Sequence, residues 1–297
     1  MIAVTGGAGF IGSNLVEALL EEGYNVKVID NLSSGRKEFI PEEAKFVEMD
    51  INDSDLAGEL EAVETVFHLA ANPHVNKFPE DREIDFEINM EGTKNVLDAC
   101  IDAGVNEFVF TSSSTVYGED AEIPTPEEHV FDPISMYGAT KAAGEHFAKV
   151  YSQIFDLDIT LLRLANIVGS RAEKGVTYDF VQKLKANPEE LEILGNGRQR
   201  KSYIYINDTI SGIITAWKSD KQVFNIGSED SISVTEIAEA VSDEMELDPE
   251  FSYTGGRKGW KGDVPQMRLE VSKLKEEGWK PEKNSEQAIR ETARNLL

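Results

Sequence analysis

Tyr137 and Lys141, in "MYGATKAAGEHFAKV", stand four positions apart in a stretch of helical periodicity, so a phenol and an ammonium share one face a turn apart. A free phenol titrates near 10, too high for a base at neutral pH, and neighbouring positive charge favours its anion. Proton abstraction is the chemistry this pair allows, although the spacing alone also recurs by chance. A second group, "TSSSTVYG" over 111–118, stacks small hydroxyls after the apolar run "EFVF". Ser112, Ser114 and Thr115 suit polar lining or turn formation, since hydroxyls commonly satisfy backbone groups after strands. A third, "TGGAGFIGSNLVEALLEEG", spaces Gly6, Gly9 and Gly12 between a strand and an amphipathic helix carrying Ile11, Leu15 and Leu19. Such glycines let backbone approach a pyrophosphate, and the helix N-terminus offers it free N–H groups and positive dipole.

Asp30 ends the second strand, 18 residues past Gly12, where a carboxylate can accept hydrogen bonds from an adenosine ribose and repel a 2′-phosphate. NAD is thus expected rather than NADP, with Arg36 nearby keeping NADP open. Asp50 and Ile51, in "EMDIND", end the third strand as adenine contacts or as a plain turn.

The elements that must position these groups alternate strand and helix: "IAVT", a helix over 11–22, "NVKVID", "KFVEM", "AVETVFHLA", a helix over 86–103, "EFVF", a helix over 136–155, and "ITLLRL". Apolar strands without polar alternation predict an α/β fold, a doubly wound parallel sheet covered by helices on both faces. The rhythm breaks after Arg163, where Gly169, Gly175, Pro188, Gly195 and Gly197 punctuate shorter elements. Residues 1–165 are therefore expected to form a dinucleotide-binding domain and 166–297 a smaller mixed α/β substrate region, with segments near 203–226 able to rejoin the first sheet. Near the C-terminus an amphipathic helix turns Leu274 and Ile289 inward.

Composition narrows the partners. The formal charge of −26 over 297 residues repels nucleic acid and anionic membranes, and also suits a salty medium that screens self-repulsion over about 10 Å or less. No signal peptide or membrane span is recognisable, so a cytoplasmic protein is expected. Cys100 stands alone and reads as core packing. His68 and His74 flank "LAANP", but four histidines and one cysteine offer no ligand spacing for a metal.

In order along the chain, the glycine pattern, "HLAA", Asn89 in "NMEGT", "SSSTVYG", "YGATK" and "RLANIVG" resemble the extended short-chain dehydrogenase family, in its NAD-dependent epimerase/dehydratase branch. The likeness extends through "GNGRQRKSYIYINDT", "NIGS" and "GWKGDVP", and is greatest to sugar-nucleotide 4-epimerases. It implies a Rossmann-like fold with NAD as cofactor. By that resemblance Tyr137 is the catalytic base, Lys141 holds the nicotinamide ribose, and Ser113 bonds the reacting sugar oxygen. Cofactor contacts are implied at Gly6, Gly9, Phe10, Ile11, Gly12, Asp30, Asn31, Ser34, Gly35, Asp50, Ile51, Leu69, Ala70, Ala71 and Asn89. For a UDP-sugar the resemblance implies Ser113, Ser114, Thr115, Tyr137, Asn166, Arg200, Lys201, Tyr203, Arg257 and Asp263, and it implies a homodimer through the helices near 86–103 and 136–155.

This chain departs from the family in ways that bear on chemistry. Related dehydratases carry an Asp-Glu pair where Ser114 and Thr115 stand, and without that acid and base, elimination loses about 10² to 10⁴ in rate per group. Lys201, Ser202 and Tyr203 replace a common Arg-Asp-Tyr, and the Arg-to-Gly-Asp spacing is stretched to "RKGWKGD", so Arg200 or Lys201 is expected to meet the diphosphate without arginine's usual fork. Met267 falls where some relatives carry a bulky tyrosine, which leaves room for an N-acetylated sugar. The readings that remain are a sugar-nucleotide 4-epimerase, a related reductase or an epimerase acting on another sugar nucleotide, and a noncatalytic NAD-binding module. Ser113, Tyr137 and Lys141 argue against the last, since a pure binder needs no tyrosine base.

Overall fold

Runs of Val, Ile and Phe become the central strands of a computed structural model that describes residues 1–73 and 81–297. The first part of the chain folds as Ile2–Thr5 (β1), Phe10–Glu21 (α1), Val26–Asp30 (β2), Lys45–Glu48 (β3), Leu56–Glu59 (α2), Thr65–His68 (β4), Gly92–Ala103 (α3), Glu107–Ser113 (β5), Met136–Phe155 (α4) and Asp158–Leu164 (β6). It continues with Asn166–Val168 (β7), Val176–Ala186 (α5), Glu190–Ile193 (β8), Arg200–Lys201 (β9), Tyr203–Tyr205 (β10), Ile206–Trp217 (α6) and Val223–Ile226 (β11). Last come Ile232–Ser233 (β12), Val234–Glu244 (α7), Glu250–Tyr253 (β13), Gln266–Met267 (β14), Ser272–Glu276 (α8) and Ser285–Leu296 (α9).

Seven strands make the parallel main sheet in the order β11-β6-β5-β4-β1-β2-β3. The chain winds outward in both directions from the β1–β4 pair, and ligands of such sheets bind beyond the strands' carboxyl ends at that reversal. Both β1 and β2 are buried along their whole length. Even Lys27 is inside, its ammonium donating to Glu59 Oε2 at 3.2 Å. Leu97, Cys100, Phe108, Phe110 and Leu161 are fully buried in one core with Ala3, Ile29 and Val66. Ser135 caps α4, accepting from the Gly138 N–H at 3.1 Å, and a side chain at Gly144 would start 2.7 Å from the Phe110 ring. That close approach seats α4 on β5.

Three elements differ from the sequence reading. Instead of ending with its apolar run, β5 continues through Thr111, Ser112 and Ser113, so these three lie within the strand. The helix over 86–103 opens as a π-helix, Phe86–Glu91, before α3. The chain also divides discontinuously into two compact units: Met1–Val116, Ser135–Arg163 and Ala216–Phe224 form one, and Tyr117–Ile134, Leu164–Thr215 and Asn225–Leu297 the other. Residues 117–134, grouped with the first domain on sequence, thus cluster with the second unit. Of the segments near 203–226, β11 joins the main sheet beside β6, whereas β10 pairs with β7 in a two-stranded sheet.

In the second unit β8 pairs with β13, and β9 lies between β12 and β14. Helices α5, α7 and α9 pack together there. Leu274 and Ile289 are fully buried, as their spacing predicts.

Candidate active site

The turn after β1 is compressed around its glycines. Gly6 has a φ of +71°, and a side chain there would start 2.6 Å from the Ala70 backbone nitrogen. At Gly12 it would start 2.2 Å from the Gly6 carbonyl oxygen. Helix α1 begins at Gly9 with no side-chain cap, so the N–H groups of Phe10, Ile11 and Gly12, which have no acceptor within the helix, are left for an anion. Asp30, nearly buried at the end of β2, accepts from the Ala8 N–H at 3.0 Å and the Leu32 N–H at 2.8 Å. Burial raises its pKa, and those two N–H groups oppose the rise.

Around this turn Gly35 packs on Ala8 and Asp30, Ser34 is exposed, and Asn31 Nδ2 donates to Asp50 Oδ2 at 2.6 Å, tying the ends of β2 and β3. Asp50 is exposed, while Ile51 is buried under Gly92 of α3. Leu69, Ala70 and Ala71 follow β4 half-buried, Leu69 N–H donating to the Thr5 carbonyl at 3.0 Å. A glycine cradle whose added Cβ atoms would collide, an uncapped helix start and a strand-end carboxylate fit the adenosine diphosphate of NAD. Asn89 also has partners within the protein. It is 1% exposed and bonded to Asn72, Asp85 and Thr140, so it pins the protein internally.

The catalytic candidates lie on β5, the turn Ser114–Val116 and α4, which pack together. Lys141 is buried, its Nζ donating to the Thr111 carbonyl at 2.9 Å and lying 5.9 Å from the Tyr137 ring centre. Burial pulls its pKa down to about 8 against the opposing charge of Glu145. The Tyr137 phenol is pushed up to about 12, first by burial and then by Asp85. The protein's own groups therefore hold the phenol protonated, contrary to the depression expected from Lys141 alone. Ser113 Oγ accepts from the Thr115 N–H at 3.2 Å and the Thr115 hydroxyl at 3.0 Å, which leaves its own proton to donate. Thr115 thereby orients Ser113, while Ser114 is nearly buried.

His68 is fully buried between two threonines. Thr93 Oγ1 donates to the Asn89 carbonyl, so it accepts from His68 Nε2–H at 3.0 Å, and Thr5 donates to Nδ1 at 2.7 Å. Burial, then Lys141, lowers the imidazole pKa from 6.5 to about 3. Below pH 6.5 the unfolded chain binds a proton that the folded chain refuses until about pH 3, so stability falls as pH drops through that window. We expect His68 alone to cost about 2–3 kcal/mol between pH 6.5 and 4.5, read as a flatter pH dependence of urea unfolding in His68→Asn. Among the described residues no cluster of metal-binding side chains occurs, and His74 lies outside them.

The second unit holds the anion-binding candidates, and they divide by strand alternation. Lys201 Nζ donates to Asp263 Oδ1 at 2.5 Å, and the Gly259 N–H donates to Oδ2 at 3.0 Å. Arg200, its neighbour, bonds instead to the Ser231 carbonyl at 2.7 Å and Glu236 Oε2 at 2.5 Å, which ties it to the start of α7. Asn166 Nδ2 donates to the Ser202 carbonyl at 3.1 Å. Tyr203 is buried, and its phenol pKa is raised by burial and then by Asp263. Arg257 is 75% exposed, 3.6 Å from Glu119, which also pairs with Lys258. Met267 is buried opposite Lys201. Sequence reasoning passed over Lys258 and Asp85; the signal for Asp85 was its position four residues before Asn89 in "DFEIN".

Residues 2–227 match the NAD dependent epimerase/dehydratase family. A UDP-glucose 4-epimerase from Mycolicibacterium smegmatis is 35% identical over 294 residues, covering 94% of this chain and 93% of that protein. The crystal structure of a UDP-galactose 4-epimerase superposes with a TM-score of 0.92 at 43% identity, over 99% of this chain and 98% of that one. A UDP-N-acetylglucosamine 4-epimerase from Methanobrevibacter ruminantium, in complex with UDP-N-acetylmuramic acid, superposes at 0.90 with 32% identity, over 99% and 97%.

Proposed function

Because this chain belongs to the NAD-dependent epimerase/dehydratase family and is an NAD-dependent sugar-nucleotide epimerase, we propose that it interconverts UDP-galactose and UDP-glucose by inverting C4. The observation that carries this reading is Ser113, Tyr137 and Lys141 on β5 and α4, with Ser114 and Thr115 where elimination would need two carboxyl groups.

NAD, when bound, supplies the hydride acceptor and donor for the sugar carbon. Tyr137 acts as its phenolate, which the positive charges of Lys141 and of an oxidised nicotinamide would favour against burial and Asp85. It takes the C4 hydroxyl proton and returns it after the 4-keto sugar has turned over, so one oxygen serves both halves of the inversion. Ser113, oriented by Thr115, donates its free proton to the sugar oxygen as charge builds there. Lys141, anchored on the Thr111 carbonyl, keeps positive charge near the phenol ring and holds the nicotinamide ribose. Arg257 and Lys201 neutralise the diphosphate; lysine does this as a point charge without a bidentate fork. Asn166 bonds the same group.

The test is a proton NMR time course of UDP-galactose with enzyme and trace NAD⁺. UDP-glucose is expected without accumulating NADH; in a parallel run supplied with NADH, its stoichiometric consumption would instead identify a reductase. An N-acetylated substrate is the second reading, supported by Met267 and by the 32% identical UDP-N-acetylglucosamine 4-epimerase. Failure to bind UDP-N-acetylglucosamine removes it.

A homodimer through α3 and α4 completes the proposal. Val150, Ile154 and Phe155 of α4 are 48%, 64% and 50% exposed, an apolar strip that a second copy would cover. Size-exclusion with light scattering is expected to give a dimer for the native chain and a monomer for Val150→Glu/Ile154→Glu. No described helix is long and apolar enough to cross a membrane.

A further inference from the structure

Asp85 precedes the π-helix Phe86–Glu91 and is fully buried. Its Oδ1 accepts from Asn72 Nδ2 at 2.9 Å and from Asn89 Nδ2 at 3.2 Å, while Oδ2 has no partner among the described residues. Asn89 accepts from the Asn72 N–H at 2.8 Å and donates to Thr140 Oγ1 at 3.3 Å. Thr140 Oγ1 in turn lies 3.0 Å from the carbonyl oxygen of Tyr137, to which it donates. One polar chain therefore links the loop after β4, which carries Leu69, Ala70 and Ala71, to the first turn of α4.

An asparagine at this position would make the same two bonds through Oδ1, so hydrogen bonding alone does not account for a carboxylate here. Burying that group is unfavourable, and its pKa is raised accordingly, mainly by burial, with Asp81 adding to the rise. We propose that Asp85 is a positioning residue for Tyr137, one that locks the cofactor-side loop to the first turn of α4 and turns a negative charge towards the phenol. The proposal rests on Tyr137 being the base. A facing anion stabilises the neutral phenol, which makes the phenolate a stronger acceptor of the sugar hydroxyl proton and delays its formation to higher pH. The other charged groups nearby among the described residues are Lys141 and Glu145 on α4, Asp81 beside Asp85, and His68 on β4, kept neutral above pH 3.

The test compares Asp85→Asn with the native chain, both loaded with NAD. Phenolate formation, read as ultraviolet difference absorbance against Tyr137→Phe, needs no turnover. In Asp85→Asn it is expected at lower pH, with the acidic limb of kcat/KM for UDP-galactose moving the same way and the rate on that limb rising about three- to tenfold. Thr140→Val, which breaks the link but keeps the charge, is expected to lower kcat without moving the limb. Superimposable phenolate titrations overturn the proposal, and Asp85→Ala reads the same charge should the asparagine variant not fold. A titration that moves in an enzyme inert towards UDP-galactose leaves the coupling standing and overturns the assigned reaction instead.

Discussion

Tyr137→Phe is expected to lower UDP-galactose turnover by at least about 10²- to 10⁴-fold, the usual contribution of a positioned proton-transfer group, with NAD binding retained. The phenol oxygen is the only atom removed, and the aromatic ring that packs in the first turn of α4 stays. The groups we assign to NAD lie mostly elsewhere, on the glycine turn, Asp30 and the loop after β4. Lys141 keeps its bond to the Thr111 carbonyl, because that contact does not involve Tyr137. The readouts are the NMR time course and the NAD affinity of the two proteins. Near-native turnover in the phenylalanine variant would remove the base assignment, whereas loss of NAD binding would mean that the ring, and not only its hydroxyl, builds the cofactor site.

The second large effect is on stability. Arg163 of β6 and Glu145 of α4 are 3% and 0% exposed and share hydrogen bonds of 2.8, 2.9 and 3.2 Å. Glu145→Ala leaves a buried guanidinium without its carboxylate, a loss of about 3–5 kcal/mol. At about 2–4 °C per kcal/mol, the melting midpoint should fall by roughly 10 °C. Replacing both partners with apolar residues of similar volume, as in Glu145→Leu/Arg163→Met, should cost much less, since no charge is then stranded. Glu145 also opposes the burial that pulls Lys141 down to about 8, so the single variant should lose activity at neutral pH as the ammonium gives up its proton more readily. A double variant as unstable as the single one would show that shape, and not charge, dominates this contact.

The reach of the sequence can be judged at particular residues. Helix α4 runs over 136–155 as its periodicity indicates, because that signal comes from one face burying along the whole element. The glycine turn was legible because its spacing between a strand and a helix is local, as is the collision of Gly12 with Gly6. The collision of Gly6 with Ala70, by contrast, comes from the loop after β4, far along the chain. The length of β5 was not legible. Its hydroxyl residues carry no apolar signal, and they lie past the register with β4, which ends at Phe110, so the strand's extension depends on tertiary packing such as that of α4.

The local elements, the strand and helix periods and the order of chemical groups along them are written in the chain's own residues, because these depend on neighbours within a turn or a pleat. Only the tertiary structure decided how those groups are used. It turned Arg200 to Glu236 and Lys201 to Asp263 from adjacent positions, gave Asn89 internal bonds, and buried the Tyr137 phenol so that burial first, and Asp85 after it, raise its proton affinity. The physical reason is that burial and charge act through space. A phenol's proton affinity depends on what surrounds it, and much of that is supplied by elements far away along the chain.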